Sequence, residues 1–255
     1  MVGEAVAVIK KSNLSFSDRH ALEVMGKDLN SKHLEDAGID YTDEPEESVW
    51  RDSTFKDMDH FINLKNKYSD HPHPAVRKAF EQIQKWTQWP TFESTQRDEE
   101  GNKELHYLIK NSDSSNVPEL TRAIFRYSKL SESHPDISKI YRPGKIIKLK
   151  ASATSSDPTF TRDRLRGGHV GILLRNYTPE EMVDSPYYEH IPGPRIAPVI
   201  MHFPKKTQAI QIAPLSGHLA GQNEYITAPG RFKVTRTEGP DEDGIHHVYL
   251  EPHHG

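Results

Sequence analysis

Residues 147–153 read IKLKASA, and their alternation decides the fold class. Ile147, Leu149, Ala151 and Ala153 alternate with Lys148, Lys150 and Ser152, the two-residue period of a strand with one buried face. Upstream the period is helical. Phe55, Met58, Phe61, Ile62, Leu64 and Tyr68 fall mostly at helical spacing, and Thr54 with Asp57 resembles a capping box. Pro74 opens another helix, with Val76, Ala79, Phe80, Ile83 and Trp86 on one face and Pro90 beyond its end. A weaker pattern over residues 19–30, carrying Leu22, Met25 and Leu29, predicts a helix before both. Downstream, short strands are predicted at 122–127, 169–174, 199–203, 209–212, 225–227, 231–235 and 245–250, separated by turns bearing Pro and Gly. Helices first and strands later is an α+β layout. The change falls in the Ser/Asp/Asn-rich stretch 111–116, dividing a helical region, 1–115, from a β core, 116–255.

Composition narrows the function. The 255 residues carry 33 Lys plus Arg against 37 Asp plus Glu, a formal net charge of -4, which argues against nucleic acid as the main partner. The absence of cysteine excludes disulfides, thiolate metal sites and a Cys nucleophile. No apolar run reaches the ~20 residues of a membrane span. The apolar start, Met1 to Ile9, is too short for a secretory signal and is followed by Lys10 and Lys11, so a soluble, cytosol-compatible protein is expected. There is no phosphate-binding glycine loop, no HExxH and no GxSxG. His71 and His73, His246 and His247, and His253 and His254 lack a metal-ligand spacing; solvated surface histidines are the simpler reading, and no metal site is expected.

Three segments of the second half stand out together. AIFRYS (123–128) carries Arg126 on a short apolar strand; KLKASATSSDP (148–158) runs from a strand into a Ser/Thr cluster; LSGHLAGQNEYITAPGRFKV (215–234) sets Gln222 two residues before Glu224 ahead of a strand. Singly each has a plain explanation: an ion-pair arginine, a turn before Asp-Pro, a polar strand face.

In this order they resemble the mono-ADP-ribosyltransferase superfamily, in its Arg-Ser-Glu branch of bacterial toxins and effectors. That family has an aromatic-Arg pair on its first core strand, then Ser-Thr-Ser followed by Pro, then Glu/Gln-x-Glu with Pro-Gly and aromatic-x-Val. Phe125-Arg126 matches the first, Thr154-Ser155 with Pro158 the second, and Gln222-x-Glu224 with Pro229-Gly230 and Phe232-x-Val234 the third. The resemblance covers about residues 116–250 and implies a mostly antiparallel, two-sheet β core behind a helical lobe. Two departures stand out. The first Ser of Ser-Thr-Ser falls on Ala153, with Ser152 one place earlier, so that a bulge would be needed to bring Ser152 into that role. Tyr127 stands where Gly often follows the Arg.

The resemblance implies NAD as co-substrate and no metal. Breaking the nicotinamide–ribose bond leaves an oxocarbenium-like sugar, so Glu224 would stabilise developing positive charge. Arg126 would hold the dinucleotide's phosphates by forked hydrogen bonds, with Tyr127 beside it, while Ser152, Thr154 and Ser155 would position the ribose. Gln222 would meet the acceptor. A neutral amide cannot act as general base toward a guanidinium, so Thr, Ser, Asn or Gln of a target protein is the expected acceptor rather than Arg. Relatives that modify ubiquitin on threonine are a precedent, and relatives that modify guanine bases are a second. The other readings are an NAD glycohydrolase and a non-enzymatic interaction module of the same fold. A signal-independent effector acting in a target cell's cytosol is the expected setting.

Overall fold

A capping box starts the first helix, α1 (Phe16–Leu29): the Ser15 hydroxyl accepts from the Asp18 N–H at 3.1 Å, and the Asp18 carboxylate accepts from the Ser15 N–H at 3.0 Å. This computed structural model describes residues 14–31, 39–41, 53–55, 58–87, 100–128, 135–167, 195–215 and 223–254. The predicted strand at 169–174 lies outside them. A short antiparallel pair, β1 (Ile39–Tyr41) with β2 (Ser53–Phe55), precedes α2 (Met58–Ser69). Thr54 is therefore no helix cap. It lies inside β2 opposite Asp40, where a β-branched residue is at home, and the helix begins four residues later. Helix α3 (Pro74–Trp86) starts at the expected proline and buries Val76, Ala79, Ile83 and Trp86. Helix α4 (Lys103–Asn111), absent from the sequence expectation, buries Leu105, Leu108 and Ile109.

The strands follow: β3 (Leu120–Ser128), β4 (Ile146–Leu149), β5 (Ser152–Ser155), β6 (Arg195–Phe203), β7 (Ala209–Gln211), β8 (Glu224–Thr227), β9 (Gly230–Glu238) and β10 (His246–Pro252). Among them lie two further helices, α5 (Ile137–Ile140) and α6 (Pro158–Gly167). The fold is thus α+β, helices first and strands after, as the change of period predicts, and the strands are mostly antiparallel. The hydrogen-bonded order is β4-β9-β10-β6-β3-β5-β8-β7, with β10 and β6 parallel and the other neighbours antiparallel. The β3–β5 junction is a single pair, Thr121↔Ser155. It hinges a five-stranded half to a three-stranded half, and the three motif strands, β3, β5 and β8, meet there.

The buried apolar residues form two main clusters that divide by sheet face rather than at that junction, Ala209 and Tyr225 of β7 and β8 belonging with the five-stranded half while Ile210 and Ile226 pack with the helices. Leu22, Met25 and Leu29 of α1, Ile83 and Trp86 of α3, and Leu105 and Ile109 of α4 pack with Ala151, Ile210 and Ile226 of the three-stranded half. The five-stranded half closes around Leu120, Val199, Met201, Phe203, Val234, Val248 and Leu250, with Tyr141 after α5. No helix among the described residues is long and apolar enough to cross a membrane.

Candidate active site

The sequence SATS of β5 lies antiparallel to EYIT of β8 with four consecutive partners: Ser152↔Thr227, Ala153↔Ile226, Thr154↔Tyr225 and Ser155↔Glu224. The ladder has no register shift, so the bulge that would bring Ser152 into the place of Ala153 is not present. Strand alternation then sorts the residues. Ala153, Ser155, Glu224 and Ile226 share one face; Ser152, Thr154, Tyr225 and Thr227 share the other.

On the first face Glu224 and Ser155 are both buried, and Thr121 of β3 joins them through its pairing with Ser155. The Thr121 hydroxyl donates to the Ser155 carbonyl at 3.2 Å and lies 2.7 Å from the Thr161 hydroxyl of α6. The backbone around Glu224 is fixed on both sides. Its carbonyl accepts from the Ile212 N–H at 2.9 Å, and the preceding Asn223 accepts from the Ser156 N–H at 3.2 Å. Asn223 has φ 42°, a left-handed conformation that Asn tolerates better than most residues, and it turns the chain into β8. The stretch after Ser155 is a helix start. Asp157 caps α6, its carboxylate accepting from the Thr159 N–H at 2.8 Å, with Pro158 in the first position.

The second face carries the arginines. Arg122 and Arg126 lie four apart on β3 and so point the same way, and Arg122 reaches the Ser/Thr strand: its Nη1 donates to Ser152 Oγ at 2.5 Å. Ser152 Oγ in turn donates to the Lys150 carbonyl at 2.7 Å, and Ser152 is fully buried. Arg126 Nε donates to the Tyr141 hydroxyl, with the guanidinium carbon 5.1 Å from that ring's centroid. Burial, and then the neighbouring Arg126 charge, push the Arg122 guanidinium down to about 10; burial lowers Arg126 as well. The Thr154 hydroxyl donates to the Tyr225 carbonyl at 3.2 Å.

The expected set therefore divides. Ser155 and Glu224 come together, with Thr121 added; Arg126, Ser152 and Thr154 lie on the opposite face, with Arg122 added. Gln222 and the side chain of Tyr127 lie outside the described residues. Arg122 and Thr121 carried no motif, although Arg122 shares Arg126's parity on the same strand.

The Glu224 face continues across the sheet. Ser155↔Thr121, Thr121↔His202 and His202↔Tyr249 are successive partners, so a polar row extends from β8 to β10. His202 Nε2 lies 2.9 Å from His247 Nδ1, and His247 Nε2 lies 3.1 Å from the Asp241 carboxylate, which also accepts from Arg162 Nη2 of α6 at 2.8 Å. His202 stacks on Tyr249 with centroids 4.4 Å apart. Among the described residues no group of three His, Asp or Glu side chains could hold a metal ion.

No protein-family model and no curated protein sequence matches the chain. Among solved structures it is similar to Vis toxin, an ADP-ribosyltransferase from Vibrio splendidus, at 14% identity and TM-score 0.40, over 96% of this chain and 89% of that one. It is also similar to C3stau2 from S. aureus, solved with NAD, at 13% identity and TM-score 0.43, over 78% and 97%. A third is the type III effector XopAI from Xanthomonas axonopodis pv. citri, at 13% identity and TM-score 0.42, over 95% and 85%.

Proposed function

We propose that the chain is an NAD-dependent mono-ADP-ribosyltransferase acting on a protein, delivered as a bacterial effector or toxin. The observation that carries this reading is the adjacency of the three motif strands: β3 meets β5 at Thr121↔Ser155, and β5 meets β8 at Ser155↔Glu224, across about seventy residues of chain. The donor set also suits the substrate. A buried carboxylate suits a sugar that becomes cationic, and two guanidiniums suit a pyrophosphate.

In this reading the nicotinamide–C1′ bond breaks with its electron pair leaving on nicotinamide. The ribosyl cation then takes an acceptor oxygen or amide nitrogen, whose proton passes to solvent. Glu224 stabilises the cation, Ser155 and Thr121 shape its surroundings, and Gln222 aligns the acceptor through one donor and one acceptor group. Ser152 and Thr154 keep the ribose-positioning role only if substrate reaches the arginine face. That division between faces, with Ala153 in place of Ser, is what favours the alternative of a non-enzymatic module.

Incubation with labelled NAD and a cell lysate, followed by mass spectrometry, tests the acceptor. Label on Thr, Ser, Asn or Gln is expected, with Gln222→Ala losing transfer but keeping slow NAD hydrolysis. Label mainly on Arg would overturn the acceptor class. Free ADP-ribose as the sole product would make the chain a glycohydrolase.

A further inference from the structure

We infer that β4, the edge strand of the large sheet, docks an acidic, extended segment of a partner protein as an added strand; this goes beyond the transferase reading and does not rest on it. β4 lies at one end of the strand order, with β9 as its neighbour. The Val234 N–H of β9 donates to the Lys145 carbonyl at 2.8 Å, while the Arg231 carbonyl accepts from the His253 N–H at 2.9 Å. Within 230–234, even-numbered residues therefore bond toward β4 and odd-numbered ones toward β10. Val234, Phe232 and Gly230 hold Lys145, Ile147 and Leu149, and Ile146 and Lys148 turn their N–H and C=O groups away from the sheet. Among the described residues nothing pairs with that edge.

The side chains define what fits. Residues 137–150 carry Lys139, Arg142, Lys145, Lys148 and Lys150 and no acidic residue, in a chain whose formal net charge is -4. Lys139 pairs with Asp136 and Lys145 donates to the Ile140 carbonyl, but Arg142, Lys148 and Lys150 have no ion pair among the described residues. Lys148 also stands opposite Arg231 of β9, a like-charged cross-strand pair whose repulsion an acidic strand would relieve. Ile146 is exposed on the lysine face, an apolar surface for the added chain to cover. On the other face Ile147 and Leu149 are half-buried against the core that holds Phe232 and Val234, so the inward residues of an added strand would be apolar. The occupant is thus a segment in which Asp or Glu alternates with apolar, β-branched residues. Lysines on an edge ordinarily guard against pairing. Here they also select: a second copy of β4 brings lysine against lysine and is repelled, whereas an acidic strand is attracted. A phosphate-rich surface, lipid or nucleic acid, would answer the charge but make no use of the backbone row.

The test uses the full chain and a fluorescein-labelled peptide of alternating Glu and Val, read by fluorescence polarisation. Wild type is expected to bind it. The double variant Lys148→Glu with Lys150→Glu, both positions exposed and outside the candidate active site, is expected to bind about tenfold more weakly or worse. Its thermal midpoint is expected to hold or rise, because Glu opposite Arg231 replaces a like-charged pair. A second arm needs no variant: backbone N-methylation on every Glu or on every Val is expected to abolish binding in one of the two peptides and spare it in the other, since only alternate residues of an added strand bond to β4. No binding of the peptide by wild type, or equal binding by the double variant, overturns the inference. So does binding of both methylated peptides, which would make the contact one of charge alone. Phosphatidylserine vesicles or duplex DNA bound more tightly than the peptide would overturn it in favour of a phosphate surface. Nicotinamide release from NAD is expected to be the same in the double variant and wild type. A failed peptide experiment therefore leaves the transferase reading standing, and an inactive wild type leaves the docking edge standing.

Discussion

Ser152 illustrates how one hydroxyl can be spoken for on both sides. Removing it in Ser152→Ala takes the hydroxyl acceptor from the Arg122 guanidinium in a part-buried site, a loss of about 1–3 kcal/mol. Urea denaturation should show that loss, whereas Ala153→Ser, which adds a hydroxyl to the half-buried Ala153 on the opposite face, should leave stability nearly unchanged. Equal stability of Ser152→Ala and wild type would contradict the contact. At this scale the sequence was informative where a motif fixed parity: Ser155 and Glu224 each sit in a motif, and the ladder pairs them. Arg122 belongs to no motif, and its partner Ser152 lies on another strand, so only the structure brings the two together.

Elements were legible where their period ran long enough. Helix α3, with thirteen residues and a proline start, lies where the pattern put it. Helix α4 has nine residues, too few turns to stand out against its flanks. Residues 147–153 alternate without a break, yet the chain divides at Lys150 and Ala151 because β4 pairs with β9 while β5 pairs with β8. Local alternation carries no information about a change of partner. Residues 154–158 read as a turn, but Asp157 caps α6; Asp157→Ala should cost about 0.5–2 kcal/mol by chemical denaturation.

The histidine row adds a pH dependence at the same scale. Burial first, then the nearby His247 and Arg236 with Glu238 opposing, push His202 down to about 4 from 6.5. Because the unfolded chain takes up that proton near 6.5 and the folded one near 4, the stability from neutral His202 is full above about 6.5 and lost as pH falls toward 4. Asp241, which burial alone would raise, is drawn to about 2 by bonds from His247, the Ile245 and Asp243 N–H groups and Arg162, so its own loss begins only below 3.8. Melting temperatures between pH 7 and 4.5 should therefore fall in wild type and flatten in His202→Phe. Identical slopes would remove His202 from the acid response.

For the whole molecule, the proposed boundary near residue 115 separates segments of sequence but not cores. The helices pack on Ile210 of β7 and Ile226 of β8, and Asn30 of the helical part donates to the Ala209 carbonyl at 2.8 Å and accepts from the Gln211 N–H at 3.0 Å. Residues 116–255 expressed alone should then lose the near-UV circular dichroism of the full chain, because Ile210 and Ile226 would face water. That dependence follows from contacts between residues over a hundred positions apart, which local periodicity does not encode. The proposed activity belongs to the same scale, since it would need the junction of β3, β5 and β8 intact. Nicotinamide release from NAD by the purified full chain, compared with Glu224→Gln, addresses it most directly. Release by the wild type and a loss of about a hundredfold to a thousandfold in a folded Glu224→Gln protein is the expected result. No release by the wild type, or undiminished release by folded Glu224→Gln, would contradict it.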